Sequence, residues 1–127
     1  MKTPTIEVTI NTEVTIIRNL TNLGVPANLK GYEYLKSGLS KVLENPIIIQ
    51  GMTKELYPAI AKEYGTTPSR VERAIRHAVE VMFDRVDPEL LKEYFGNTIS
   101  LKKDKPTNSE FLAQVAEYIR IELGVYK

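Results

Sequence analysis

The chain has 127 residues, with 17 Lys and Arg against 16 Asp and Glu, so its formal net charge is +1. This length suits one domain with its own core, and 43% hydrophobic with 26% charged residues is typical of a globular protein. The absence of Cys excludes disulfides, thiolate metal sites and a cysteine nucleophile, and the single His77 leaves little for general-base catalysis. We therefore expect a non-enzymatic protein without a metal or another cofactor.

The same overview bears on partners and location. A near-zero charge argues against a polyanionic partner, because nucleic-acid-binding domains usually carry a basic excess. No segment has the apolar core of a secretory signal or the ~18–20 apolar residues of a membrane span. This predicts a cytoplasmic protein that does not contact a membrane.

The first ten residues differ from the rest of the chain. They are Thr-rich and contain Pro4, which predicts a tail or linker, and the domain then covers residues 11–127. Apolar residues alternate within this stretch at Ile6, Val8 and Ile10, a pattern that also allows a short strand.

Beyond the tail, apolar residues recur at helical spacing and predict an all-α domain of six helices. The first two helices end near Gly24 and Asn45, and the run Ile47–Ile49 that follows predicts a buried connector. The other four begin near Thr53 or at Pro58, at Thr67-Pro68, at Asp87-Pro88, and at a capping box formed by Thr107 with Glu110.

The third and fourth predicted helices match a helix-turn-helix. The bend requires a small residue in the first helix, which Ala61 supplies, and a positive backbone angle four residues later, which Gly65 supplies. Val71 is the apolar anchor of the second helix, and Ile60 and Ala74 fill the other inward positions. Helix–glycine–helix pairs are common, so the outward face of the second helix must distinguish a DNA-binding motif from an ordinary helical pair.

That outward face carries side chains suited to reading bases. Arg70 and Arg73 can each present a guanidinium fork to O6 and N7 of a guanine, and Glu72 can accept from N4 of a cytosine. These three residues predict a site with a C and G core. A solvated Arg/Glu face is the alternative, but the position of the residues in the motif favours base readout. The expected phosphate contacts on this helix are Ser69, Arg76 and His77.

A second basic cluster precedes the last predicted helix. It consists of Lys102, Lys103 and Lys105, which could reach phosphates that flank the site, although a solvated lysine-rich loop has the same composition. Acidic residues elsewhere in the chain offset the positive charge of both basic clusters, so the net charge is only +1. Net charge therefore does not argue against DNA once the charges are located.

At this point three continuous stretches resemble a known family. They are GVPANLKGYEYL, LYPAIAKEYGTTPSRVERAIRHAVEVMF and KPTNSEFLAQVAEYIR, and they are similar to the DNA-binding effector domain of the master sporulation response regulator (stage 0 sporulation protein A) of endospore-forming bacteria. The resemblance extends from near Leu20 to near Leu123. It implies a six-helix transcription factor domain that reads a box like TGTCGAA at sporulation promoters. Arg70, Glu72 and Arg73 match the family's base-contacting positions.

The resemblance also implies partners. The family activates transcription by contacting the primary sigma factor of RNA polymerase, and the region implied here is VDPELLKEYFGNTIS, with Glu89, Glu93 and Phe95 as the expected contacts. The acidic and apolar mixture of this stretch fits either a protein-contact surface or a packed helix with a solvated side. The family also dimerises on tandem DNA boxes. The whole regulator carries an N-terminal phosphoacceptor receiver domain, and no alternating strand–helix pattern is present in this chain. We expect the effector half alone, with residues 1–10 as a linker remnant.

Two other classes of function stay open from the sequence. A helix-turn-helix-shaped module could bind a protein partner without specific DNA binding, and a net charge of +1 suits such a module. An enzyme would have to rely on carboxylate pairs or a Tyr, for which no supporting spacing is found. Salt dependence separates DNA binding from protein docking, because phosphate contacts weaken steeply as salt rises.

Overall fold

A computed structural model describes residues 6–96 and 105–124, with the backbone alone for residues 6–10. Within these ranges the chain forms six α-helices and no strand, which confirms the predicted all-α class. No helix in the described ranges is long and apolar enough to cross a membrane. The helices are α1 (Ile6–Leu23), α2 (Lys30–Glu44), α3 (Tyr57–Tyr64), α4 (Pro68–Arg85), α5 (Pro88–Phe95) and α6 (Asn108–Leu123).

The first helix begins earlier than the composition predicted. Residues 6–10, whose alternating pattern allowed a short strand, belong to α1, which runs unbroken from Ile6 and ends before Gly24. A strand needs a neighbour to complete its hydrogen bonds, whereas a helix completes them within itself. The strand alternative is therefore wrong. Residues 1–5 lie outside the described part of the chain, so a linker there stays a prediction.

The connector after α2 is also different from its prediction. The isoleucine run lies in a 3₁₀ turn over Pro46–Gly51, where Ile47 is 64% exposed and Ile48 and Ile49 are half-buried. Such a turn repeats every three residues, so three consecutive side chains point in three directions. The expectation that all three isoleucines are buried is therefore wrong.

A wide turn then leads into the helix-turn-helix. Residues Met52–Leu56 form a π turn, and the N–H of Tyr57 donates to the carbonyl of Met52, five residues back. Pro58 has no N–H for the regular helical pattern, and α3 accordingly begins beside it, at Tyr57. This is the later of the two starts that the sequence allowed.

The second helix crosses α4 at Gly31. A Cβ atom added there would lie 2.2 Å from the carbonyl oxygen of Ala74 and 2.8 Å from the Cβ of Ala78. Only a residue without a side chain allows backbone to approach backbone so closely. The middle of α4 is therefore held at a short, defined distance from α2.

The apolar faces of α4 and α6 pack into the core. The buried side chains of α4 are Val71, Ile75, Ala78, Val79 and Met82, and those of α6 include Phe111, Leu112, Val115 and Ile119. The capping box of α6 is confirmed, because the N–H of Thr107 donates to Glu110 Oε1 at 2.8 Å and the N–H of Glu110 donates to Thr107 Oγ1 at 3.1 Å.

Candidate nucleic-acid interface

The turn between α3 and α4 has the backbone geometry of a helix-turn-helix. Gly65 adopts the left-handed conformation, with φ 65° and ψ 40°. Its N–H and that of Thr66 both donate to the carbonyl of Ala61, which ends α3. Ala61, Ile60 and Val71 are buried together in the core. The three positions that the motif specifies therefore have the small, left-handed and apolar character that it requires.

The next residues set the start of α4. Thr67 is the N-cap, and its hydroxyl accepts from the N–H of Arg70 at 3.2 Å. Pro68 occupies the first helical position, where its missing N–H has no partner to lose. The predicted beginning of the fourth helix is confirmed. The cap also fixes where Ser69 and Arg70 leave the backbone.

The outward face of α4 is open to solvent. Five of the predicted DNA-contacting side chains are exposed: Ser69, Arg70, Arg73, Arg76 and His77. Among the described residues, neither Arg70 nor Arg73 forms an ion pair. Both guanidinium groups can therefore bind a base without first leaving another partner.

Glu72 has a different environment from the two arginines beside it. It is half-buried, and its carboxylate lies 3.2 Å from the guanidinium of Arg76, one turn further along α4. Exposed pairs at this spacing are worth ~0.3–0.5 kcal/mol, so the contact orients both groups but is readily exchanged. The pair joins a predicted base contact to a predicted phosphate contact.

A groove between α4 and the start of α6 brings Lys105, the described residue of the second basic cluster, close to Arg76. The groove is lined by Tyr57, Glu72, Arg76, Glu80, Lys105 and Asn108, among others. The ammonium group of Lys105 lies 3.2 Å from Glu80 and faces the groove that Arg76 also lines. Lys102 and Lys103 lie outside the described residues.

One buried polar residue of this region was missed by the sequence reasoning. Asn108, the first residue of α6, is only 8% exposed, and its side-chain amide donates to the hydroxyl of Tyr57 at 3.0 Å and to the carbonyl of Glu72 at 3.1 Å. Burial is the main cause that raises the pKa of Tyr57 above its ordinary value. Apolar periodicity does not report polar contacts between distant segments, and no other signal pointed to Asn108.

The fifth helix corrects one predicted contact. Glu89 and Glu93 are exposed on α5, as a protein-contact surface requires. Phe95 is 1% exposed, and its ring centroid lies 6.0 Å from that of Phe111. The expectation that Phe95 contacts a partner at the surface is therefore wrong for this fold, because its side chain fills the core beneath α5.

A comparison with known families adds to this geometry. A family model described as "Sporulation initiation factor Spo0A C terminal" matches residues 16–119. The matched range covers far more than half of the chain and includes α2, α3, α4 and α5 in full. The helix-turn-helix, the groove and Asn108 all lie inside it.

Proposed function

The chain belongs to the family of the Spo0A C-terminal domain, a DNA-binding domain of a sporulation transcription factor, and from this membership we propose that α4 reads a TGTCGAA-like box in the major groove. The observation that carries the proposal is the exposed N-terminal half of α4, presented by a turn with helix-turn-helix geometry. In such motifs the first turns of the second helix face the base edges. The family is a transcription-factor family and not a family of enzymes.

Three side chains of α4 are proposed to read the bases. Arg70 and Arg73 would each donate two hydrogen bonds to a guanine, and Glu72 would accept from a cytosine. The exposure of both arginines supports this assignment, as does their lack of an ion-pair partner among the described residues. Because Glu72 contacts Arg76 in the free domain, a bound cytosine would share or replace that contact.

Phosphate contacts are proposed on both sides of the base-reading residues. Arg76 would release or share Glu72 to reach a phosphate, and Lys105 would do the same with Glu80. Both existing pairs are exposed enough to be weak, so their exchange costs little. The complete set proposed for phosphates is Ser69, Arg76, His77, Lys105 and the flanking Lys102 and Lys103.

The finer biology of the domain is proposed from the resemblance. The exposed carboxylates of Glu89 and Glu93 on α5 support a contact with the primary sigma factor. Two copies would bind tandem boxes, and a receiver domain of the whole regulator would control them in the cytoplasm. Promoters that this domain activates or represses would be sporulation promoters.

A binding assay with two duplexes tests the proposal. The domain is titrated against the TGTCGAA box and against a scrambled duplex of equal length and composition, over a series of salt concentrations. We expect tighter binding to the box at every salt concentration, and a steep loss of affinity for both duplexes as salt rises. Equal affinity for the two duplexes would refute sequence-specific readout. A salt-insensitive protein complex without DNA binding would favour a docking module.

A further inference from the structure

We infer that Asn108 is a positioning residue for DNA recognition, which sets the rotation of α4 by bonding it to α6 and to the start of α3. The inference rests on the proposed function and extends it to a residue that touches no base. Asn108 is buried at the first position of α6, a helix outside the helix-turn-helix. Burying an amide without hydrogen-bond partners costs free energy. The two N–H donors of Asn108 avoid this cost because each has an acceptor.

The two acceptors of Asn108 belong to the two helices of the motif. The hydroxyl of Tyr57 lies at the first residue of α3, and the carbonyl of Glu72 lies in α4, between the two arginines proposed to read guanines. One side chain therefore joins α3, α4 and α6 at a single point. Glu72, the residue of α4 that Asn108 bonds, is itself a proposed base contact.

The capping box holds Asn108 in place from the other side. Thr107 and Glu110 exchange two hydrogen bonds around it and fix the first turn of α6. Further along, Phe111 and Leu112 are fully buried and anchor α6 in the core. The amide of Asn108 is thus a fixed reference for α4 and not a mobile surface group.

Apolar packing alone does not supply this angular control. The buried face of α4 rests on apolar contacts, which are non-directional, whereas hydrogen bonds depend on both distance and angle. A functional group must be held within about 0.5 Å and 10–20° of its productive geometry. Because arginine forks extend far from the helix axis, a small rotation of α4 would misplace Arg70 and Arg73 at the bases.

The test compares two buried asparagines. Asn108→Ala removes the hydrogen bonds to α3 and α4. Asn19→Ala removes another buried amide, whose hydrogen-bond partners Thr15, Tyr94 and Glu122 lie in α1, α5 and α6 and not in the motif. For each variant we measure the thermal midpoint, amide exchange in α4, and the ratio of affinities for the TGTCGAA box and the scrambled duplex.

We expect Asn108→Ala to reduce the affinity ratio about tenfold through weaker box binding, with scrambled-duplex affinity nearly unchanged. Amide exchange should quicken in the first half of α4. Asn19→Ala should lower the thermal midpoint comparably and leave the ratio unchanged. If Asn108→Ala does not fold, Tyr57→Phe keeps the ring, removes one of the two hydrogen bonds of Asn108, and should reduce the ratio about threefold.

Two results would overturn the inference. The first is an unchanged ratio in folded Asn108→Ala or, where that variant does not fold, in Tyr57→Phe, since the hydrogen bonds of Asn108 would then not control base readout. The second is an equal fall of the ratio in Asn19→Ala, because general loss of stability would then be the cause. A wild-type domain that binds both duplexes equally would instead refute the proposed function on which the inference rests.

Discussion

Two arginines one turn apart on α4 are expected to contact different parts of the DNA, Arg73 a base and Arg76 a phosphate. Arg73→Ala should lower the preference for the box over scrambled DNA, because a bidentate contact to guanine is worth ~1–3 kcal/mol of discrimination. Arg76→Ala should weaken binding to both duplexes and leave the preference nearly unchanged, since phosphates carry no sequence information. Direct titration of each variant with both duplexes measures the two effects. If Arg76→Ala, and not Arg73→Ala, lost the preference for the box, Arg76 would be the base contact and Arg73 the phosphate contact.

Two glycines of α2 are expected to respond oppositely to the same substitution. Gly31→Ala should destabilise the domain by about 1–3 kcal/mol or more, because the new Cβ would lie 2.2 Å from the backbone oxygen of Ala74. Gly38→Ala meets nothing closer than 3.4 Å and should stabilise α2 by about 0.5–1 kcal/mol. Denaturant unfolding measures both changes. Equal stability of the two variants would show that α2 and α4 can separate freely at Gly31.

At the scale of the elements, α5 is joined to α6 by polar and aromatic contacts beside the core. The ring of Tyr118 stacks on that of Tyr94 with 4.0 Å between centroids, and its hydroxyl donates to the carboxylate of Glu93. This hydrogen bond is the main cause that raises the pKa of Tyr118 to about 12. The stability that it contributes is complete below the ordinary tyrosine pKa and is lost as the pH rises through about 12.

Glu93→Gln tests this connection between α5 and α6. The substitution removes the negative charge beside the hydroxyl, so the pKa of Tyr118 should fall towards its ordinary value. An alkaline titration of phenolate ultraviolet absorbance, with Tyr118→Phe used to assign the signal, measures the shift. Glu89→Gln is the matched control, because Glu89 is an exposed carboxylate of the same helix outside this contact. Equal titration curves for both variants would contradict the hydrogen bond.

For the whole molecule, the net charge of +1 describes the sum and not the arrangement. Between residues 67 and 78 there are three Arg against one Glu, an excess of +2 within one stretch of α4. Acidic residues such as Glu89 and Glu93 lie on α5 and balance it. A focused basic face on a near-neutral domain should give modest non-specific affinity for DNA, because that affinity grows with the number of phosphates neutralised.

The proposed contacts also predict the size of the salt effect. Four cations are assigned to phosphates, namely Arg76, Lys102, Lys103 and Lys105, so the logarithm of affinity should fall with the logarithm of salt with a slope of about −4 per domain. Lys105→Ala should reduce the magnitude of the slope by about 1. Lys92→Ala, an exposed lysine of α5, should leave it unchanged. A slope near zero would contradict phosphate binding altogether.

Local sequence patterns predict much of the architecture. Six helices, the capping box at Thr107 and the turn at Gly65 all follow from the residue types within a few positions of each feature. Apolar periodicity also predicted the buried face of α4, and so its outward face with Arg70 and Arg73. These features depend on backbone angles and short-range hydrogen bonds, which neighbouring residues control.

Other properties depend on segments that are distant in the chain. The exposure of Ile47 and the approach of Gly31 to Ala74 follow from how complete helices pack, and the amino-acid order alone predicted neither. The same holds for Asn108, whose partners lie in two other helices. Helix packing also buries Phe95, for which the sequence allowed either a contact surface or a packed helix. Local residue types determine which face of a helix is apolar, but the distances between helices arise only when every such face is buried at once.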